Sequence, residues 1–176
     1  MPLTKNELIK YLNPLEGQPL VENMVDPAVQ VQPAGIDLSL QKIFRFVSSA
    51  TVAFTQAETH LPEYEEVPFD EKGLALLVPG PYKLVVNEIV HLPPNLMGIA
   101  QPRSTMLRCG ATVNTALWDP GYNGRSELLL VVHNPQGLQL AYQARVAQLC
   151  FYELSSSLGE GETYQGRYQG ENVRAG

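Results

Sequence analysis

The stretch Ala75-Leu-Leu-Val-Pro-Gly-Pro-Tyr-Lys-Leu-Val-Val86 decides the fold class, because a Pro-Gly-Pro turn separates two short apolar runs in it. Short apolar runs bounded by residues that break regular structure are typical of β-strands. Outward from this stretch, the same pattern recurs at residues 97–101, 128–132 and 144–154. Residues 128–132 are apolar throughout, which predicts a buried strand.

Toward the N-terminus, residues 36–47 continue the strand pattern, and Thr4-Lys-Asn-Glu7 is a capping box for a short helix that Asn13-Pro14 ends. Residues 16–33 are polar and contain prolines, so we expect irregular structure there. The acidic residues 55–73 predict a solvated loop. Many short strands with one clear helix indicate an all-β sandwich, barrel or jelly roll. We expect one domain over residues 1–154 and a flexible, Gly-rich tail over residues 155–176.

Composition limits the function classes before any motif is considered. The chain has 176 residues and a formal net charge of −6, which argues against a general nucleic-acid-binding protein. No apolar run approaches the ~20 residues that cross a bilayer, and the N-terminal residues lack a signal-peptide pattern. Cys109 and Cys150 form neither a C-x-x-C motif nor a disulfide framework. These features predict a cytoplasmic protein without a membrane segment.

Two neighbouring segments combine side chains that suit a nucleoside triphosphate. Gln101-Pro-Arg-Ser-Thr-Met-Leu-Arg-Cys-Gly110 carries two arginines and two hydroxyl groups, which suit phosphate oxygens, on a predicted short helix that Gly110 closes. Asp119-Pro-Gly-Tyr-Asn-Gly124 carries a lone carboxylate, which suits activation of a water, on a predicted type II turn. Together they indicate a triphosphate site without a P-loop. Each segment alone is also compatible with a plain surface helix or a self-capped turn.

Three further segments have a structural interpretation beside the functional one. Asp37, in an alternating strand, is by itself best interpreted as a structural anchor. Arg145 and Gln148 are by themselves polar residues on the solvent face of a strand. The segment Tyr164-Gln-Gly-Arg-Tyr-Gln-Gly170 is either a cover for a bound nucleotide or a frayed terminus. The three histidines lie far apart and zinc-enzyme motifs are absent, so we predict no protein-bound metal.

Taken in order, five segments resemble the five motifs of the dUTPase and dCTP deaminase superfamily. They are Ala34-Gly-Ile-Asp37-Leu, Pro102-Arg-Ser-Thr-Met-Leu-Arg108-Cys-Gly, Asp119-Pro-Gly-Tyr122-Asn-Gly, Ala144-Arg-Val-Ala-Gln148 and, loosely, the Gly-rich tail. The N-terminal helix and the Asp-Pro-Gly-Tyr form look closer to the dCTP deaminase branch, which includes archaeal-type dUTPases. Residues 50–80 match none of the family's motifs.

The resemblance implies a distorted β-barrel or jelly-roll subunit that assembles as a homotrimer, with active sites between subunits. The implied substrate is a deoxyribonucleoside triphosphate with Mg²⁺ held mainly by its phosphates, not a nucleic acid. Asp119 is the implied catalytic base. The implied substrate-binding residues are Arg103, Ser104, Thr105, Arg108, Tyr122, Gln148, Tyr164 and Arg167.

A glutamate on the strand after the third motif separates the two reactions of the superfamily, because dCTP deaminases use it to shuttle protons. Counting back from Asn134 gives Val131, and counting forward from Asp119 gives Leu129; neither is acidic. Glu127 is the only carboxylate nearby, and it aligns with the family's glutamate only if the sequence is shifted against the family pattern. We therefore predict a dUTP diphosphatase. The alternatives are a dCTP deaminase, or a bifunctional enzyme that uses Glu127, and a non-catalytic nucleotide-binding regulator.

Overall fold

An eight-stranded antiparallel sheet, curved into a nearly closed barrel, forms the body of the protein. The computed structural model describes residues 1–159 and 161–173. Within these residues the helices are α1 (Lys5–Leu12), α2 (Pro27–Gln30) and α3 (Ser104–Arg108). The strands are β1 (Val21–Glu22), β2 (Val31–Gln32), β3 (Gly35–Phe46), β4 (Tyr64–Glu66), β5 (Leu74–Leu77), β6 (Gly80–Val86), β7 (Ile89–His91), β8 (Leu96–Pro102), β9 (Ala111–Asn114), β10 (Asn123–Gly124), β11 (Glu127–Val132), β12 (Leu138–Ala141) and β13 (Arg145–Glu153).

The main sheet has the order β8-β13-β3-β6-β11-β9, with β2 and β4 also paired to β3. Two smaller sheets, β1-β7-β10 and β12-β5, accompany it. A bridge joins Gly98 of the edge strand β8 to Trp118, in the segment that follows the other edge strand, β9. The expected all-β barrel with a short N-terminal helix is therefore confirmed, and Trp118, which precedes Asp119, is fixed to the barrel wall.

Side chains that point into the barrel form its core, and burying each large one stabilises the fold by about 1.5–3 kcal/mol. The largest fully buried side chains include Phe151, Ile36, Leu38, Leu84, Leu130 and Leu149. The prediction that residues 128–132 are uniformly buried was wrong. Leu128 and Leu130 are buried but Leu129 is 38% exposed, because side chains alternate between the two faces of an antiparallel sheet.

Helix α1 begins at the predicted capping box. The Glu7 carboxylate accepts hydrogen bonds from the Thr4 backbone N–H at 2.7 Å and from the Thr4 hydroxyl at 2.8 Å. These bonds lower the pKa of Glu7. At the other end, the Asn13 backbone N–H donates to the Ile9 carbonyl, and Leu8 is buried in the core. In the described part of the chain, no helix is long and apolar enough to cross a membrane.

Two stretches predicted to lack regular structure contain short elements. Residues 16–33 include β1, α2 and β2, and Asp26 caps α2 by accepting from the Ala28 N–H at 2.9 Å. The acidic residues 55–73 include β4, which pairs with the exposed end of β3. β1 and β4 pair with segments far along the chain, whereas α2 and β2, at four and two residues, are too short to show a periodic pattern in the sequence.

Candidate active site

A buried aspartate of β3 holds two arginines. Asp37 is only 2% exposed; its Oδ2 accepts a hydrogen bond from Arg145 Nη1 at 3.0 Å and forms an ion pair with Arg103 Nε at 3.1 Å. Burial raises the pKa of Asp37, whereas the two guanidinium groups oppose that rise. Gln148 lies directly opposite Asp37 in the pairing of β13 with β3. The interpretation of Asp37 as an anchor is confirmed, and we call these four residues the arginine cluster.

Helix α3 continues from Arg103 and displays polar side chains at the surface. Ser104, Thr105 and Arg108 are exposed, while Met106 is buried and fixes the helix to the core. Gly110 has a φ of +75°, and a Cβ there would lie 2.9 Å from the Asn134 Cβ. Both observations require glycine at this position. The predicted short helix closed by Gly110 is therefore confirmed.

The predicted turn after Trp118 is also present. The Tyr122 N–H donates to the Asp119 carbonyl at 3.1 Å, and Gly121 has a φ of +85°, as a type II turn requires. Asp119 is exposed, whereas Tyr122 is 6% exposed. The Tyr122 hydroxyl lies 3.0 Å from Ser126 Oγ, which accepts from Trp118 Nε1 at 2.6 Å. Burial raises the pKa of Tyr122 far above its ordinary value, so the phenol stays protonated.

A cavity of about 270 Å³ opens beside this turn. It is lined by Ala116, Leu117, Trp118, Asp119, Tyr122, Ser126, Glu127, Tyr164, Tyr168 and Glu171. Three of the predicted site residues, Asp119, Tyr122 and Tyr164, therefore share one cavity with Glu127. We call Asp119, Tyr122, Tyr164 and Glu127 the aspartate cluster.

The C-terminal segment supplies one wall of the cavity. The Gly170 N–H donates to the Asn123 carbonyl at 2.7 Å, and the Arg125 N–H donates to the Glu171 carbonyl at 2.9 Å. The Tyr122 hydroxyl donates to the Glu171 carboxylate at 2.8 Å, and burial raises the pKa of Glu171 to about 7.

Not all of the predicted tail takes part in this wall. Arg167, which we predicted to contact the nucleotide, is exposed. Residue 160 and residues 174–176 lie outside the described residues.

The two clusters lie toward opposite ends of β8. Trp118 pairs with Gly98, and Thr115 lies beside Ala100, so the chain runs away from Arg103 as it approaches Asp119. Between Gly98 and Arg103 the strand extends roughly 17 Å, at about 3.3 Å per residue. Asp119 therefore follows a residue that lies opposite Gly98, at the far end of this segment from Arg103.

Glu127 projects from the exposed face of β11 and is already paired. Lys83 Nζ lies 2.9 Å from its Oε1 and also 3.6 Å from the centroid of the Tyr64 ring. Leu129 is on the same face of the strand, two residues further on. Both positions that family spacing assigns to a deaminase glutamate, Leu129 and Val131, are thus apolar, and the neighbouring Glu127 is ion-paired with Lys83.

Sequence reasoning missed Ser126 and Glu171, which hold the Tyr122 hydroxyl, and gave Arg145 no separate role. No local pattern marks these residues, because their partners are distant in sequence. Among the described residues, no group of three His, Cys, Asp or Glu side chains is arranged to hold a metal ion.

The barrel and its two polar clusters agree with what a comparison of the sequence shows. The sequence pattern of the dCTP deaminase-like family matches residues 3–154, and the chain belongs to this family. Within the family, it is similar to proteins that share most of its length. A Methanococcoides burtonii protein, named "Probable deoxyuridine 5'-triphosphate nucleotidohydrolase", is 46% identical over 97% of this chain and 98% of its own. The "Deoxyuridine 5'-triphosphate nucleotidohydrolase" of Methanocaldococcus jannaschii is 39% identical over 80% of this chain and 88% of its own.

Among solved structures, the 2'-deoxycytidine 5'-triphosphate deaminase of Agrobacterium tumefaciens has the same fold. It superposes with a TM-score of 0.65 at 21% sequence identity, over 92% of this chain. This chain spans about half of that protein, 50% of its length. At this identity the likeness supports the fold alone.

Proposed function

We propose that the protein is a dUTP diphosphatase, which converts dUTP and water to dUMP and pyrophosphate. The main support for the proposal is the set of side chains on the exposed face of β11. The two counts of the family spacing place the deaminase glutamate at Leu129 or Val131, both apolar, and the nearby Glu127 forms an ion pair with Lys83. Asp119 is then the free carboxylate of the cavity, since it has neither burial nor a salt bridge among the described residues.

In the proposed mechanism, Asp119 removes a proton from a water molecule as the water oxygen attacks the α-phosphorus. The bond from the α-phosphorus to the bridging oxygen breaks, and pyrophosphate leaves. Tyr122 lies against the deoxyribose and disfavours a 2′-hydroxyl. Its buried, hydrogen-bonded position supports this role, because a fixed ring defines the shape of the sugar pocket.

The triphosphate is held mainly by charged and polar groups that stand apart from the aspartate cluster. These are Arg103, Ser104, Thr105, Arg108 and Gln148, with Tyr164 and Arg167 of the tail closing over the nucleotide. The planar guanidinium group of arginine donates paired hydrogen bonds to phosphate oxygens, and the ion pair with Asp37 already orients the guanidinium of Arg103. Exposure of Ser104, Thr105 and Arg108 leaves them available to a ligand.

Mg²⁺ is proposed as a partner of the substrate rather than of the protein. Magnesium is commonly held by substrate phosphates and water with few protein ligands, and the exposed Asp119 carboxylate of the cavity fits that arrangement. When bound, the ion neutralises charge that develops on the phosphate oxygens.

We also propose a homotrimer with sites between subunits, and the placement of the two clusters toward opposite ends of β8 supports this proposal. If both are needed, the arginine cluster of one protomer must meet the aspartate cluster of another.

We place the protein in the cytoplasm, in keeping with its two unpaired cysteines.

The proposal is tested by incubating the purified protein with Mg²⁺ and either dUTP or dCTP. We expect pyrophosphate from dUTP and no ammonia from dCTP. Ammonia from dCTP would instead establish a deaminase, or a bifunctional enzyme that uses Glu127, whose side chain lines the same cavity as Asp119. Binding of dUTP without turnover would establish a non-catalytic regulator.

A further inference from the structure

A buried carboxyl group lies behind the arginine cluster and has no role in the mechanism above. Glu88, between β6 and β7, is 0% exposed. Its Oε1 accepts from Ser39 Oγ at 2.5 Å and from Gln30 Nε2 at 2.6 Å, and its Oε2 accepts from the Ser39 N–H at 2.9 Å. Among the described residues it forms no ion pair. A buried carboxyl without a cation depends on its hydrogen bonds, so these three donors are held in place.

Gln30 connects this carboxyl group to β3. Its Nε2 donates a second hydrogen bond to the Asp37 carbonyl at 2.8 Å, and its Oε1 accepts from the Asp26 N–H at 2.9 Å. Gln30 is itself only 2% exposed. The Glu88–Gln30 pair therefore fixes the short helix α2 against the residue whose side chain binds the two arginines.

Helix α2 and Asp37 then hold Arg145 from two sides. Arg145 Nη1 donates to the Val29 carbonyl of α2 at 3.0 Å and to Asp37 Oδ2 at 3.0 Å. Asp37 Oδ2 also binds Arg103. Hydrogen bonds thus lead from Glu88 through Gln30 to Asp37, whose side chain is hydrogen-bonded to Arg145 and ion-paired with Arg103.

We infer that Glu88 is a positioning residue: through Gln30 it holds Val29 and Asp37 where they aim Arg103 and Arg145 at the triphosphate. Recognition of phosphate by a planar guanidinium depends on its orientation, so a small displacement of the support weakens binding. The inference rests on the proposed function, because it assumes that this cluster binds the triphosphate.

The test is Glu88→Gln in the full-length protein. The amide NH₂ of the new side chain must face either Ser39 N–H or Gln30 Nε2–H, so one contact of the network is lost. We expect inorganic tripolyphosphate to bind about tenfold more weakly, a change of ~1.4 kcal/mol, and KM for dUTP to rise similarly with kcat less affected. Deoxyuridine, which lacks phosphates, should bind as to the wild type. Gln30→Met, which removes the same link, should reproduce this selective loss.

Two controls separate positioning from general destabilisation. Ile43→Val removes one methylene from a fully buried site elsewhere on β3 and should leave tripolyphosphate binding unchanged. In an Arg145→Lys background, Glu88→Gln should cause a smaller loss than in the wild type, because only the orientation of Arg103 then remains to be disturbed.

Unchanged tripolyphosphate binding in both Glu88→Gln and Gln30→Met would overturn the inference, as would an equal loss of deoxyuridine binding. Binding is measured without turnover, so these results are independent of whether the wild type hydrolyses dUTP. Failure of the proposed function would instead appear as wild-type protein that releases no pyrophosphate.

Discussion

Asp119 is the residue on which water activation depends in the proposed mechanism. Asp119→Asn keeps the size of the side chain but removes its basicity, so hydrolysis of dUTP should fall by about 10²–10⁴-fold while dUTP still binds. Rate and affinity are measured separately, by pyrophosphate release and by calorimetry. Asp70→Asn is a matched control, because that side chain only accepts bonds from its own turn. Normal turnover by Asp119→Asn would show that another group is the base.

Glu127 differs from Asp119 because it forms an ion pair with Lys83. Glu127→Gln removes its ion pair with Lys83, a partly exposed contact that is worth about 0–1 kcal/mol. We expect the rate of pyrophosphate release and the melting temperature to change little. A large fall in the rate with an unchanged melting temperature would assign Glu127 to the chemistry and favour a bifunctional enzyme.

At the scale of elements, the contact between the C-terminal segment and the Asp119 turn should respond to pH. Burial raises the pKa of Glu171 to about 7 from an ordinary 4.5; Glu127 acts in the same direction, while the Tyr122 hydrogen bond and Lys83 oppose it. A group with a raised pKa favours the docked state when protonated. This contribution is complete below the ordinary pKa and is lost as pH rises through about 7.

Hydrogen exchange of the amides of residues 169–172, corrected for intrinsic rates, measures this docking. Protection should be greater at about pH 5 than at about pH 8, and Glu171→Gln should remove most of that difference. Equal protection of the wild type at both values would contradict the proposed role of Glu171.

Elements that depend on neighbouring residues were predictable from the sequence. The capping box of α1, the closure of α3 by Gly110 and the turn that begins at Asp119 each follow from adjacent side chains. Elements held by distant partners were not. Helix α2 depends on a buried bond between Gln30 and Glu88, and the cavity wall depends on Glu171 reaching Tyr122. Neither pairing leaves a local signal in the sequence.

For the whole molecule, the distance between the two clusters predicts that activity requires more than one protomer. Asp119→Asn and Arg103→Ala should each be inactive alone, because each damages one half of every site. Co-expression of the two variants should restore part of the pyrophosphate release, because some mixed sites then combine an intact Asp119 with an intact Arg103. Sedimentation should give the mass of a trimer.

The matched control is co-expression of Asp119→Asn with Asp119→Ala, which damages the same half twice and should restore nothing. If the first pair also remained inactive while forming mixed trimers, sites shared between subunits would be contradicted. A monomeric active enzyme would contradict them as well.

The most direct measurement of the central claim is hydrolysis of dUTP in H₂¹⁸O, followed by mass spectrometry of both products. Attack of an activated water on the α-phosphorus places the heavy oxygen in dUMP and leaves pyrophosphate unlabelled. That result is predicted for the wild type, and Asp119→Asn should show almost no labelled dUMP. Label in pyrophosphate, or the absence of dUMP from the wild-type reaction, would contradict the account.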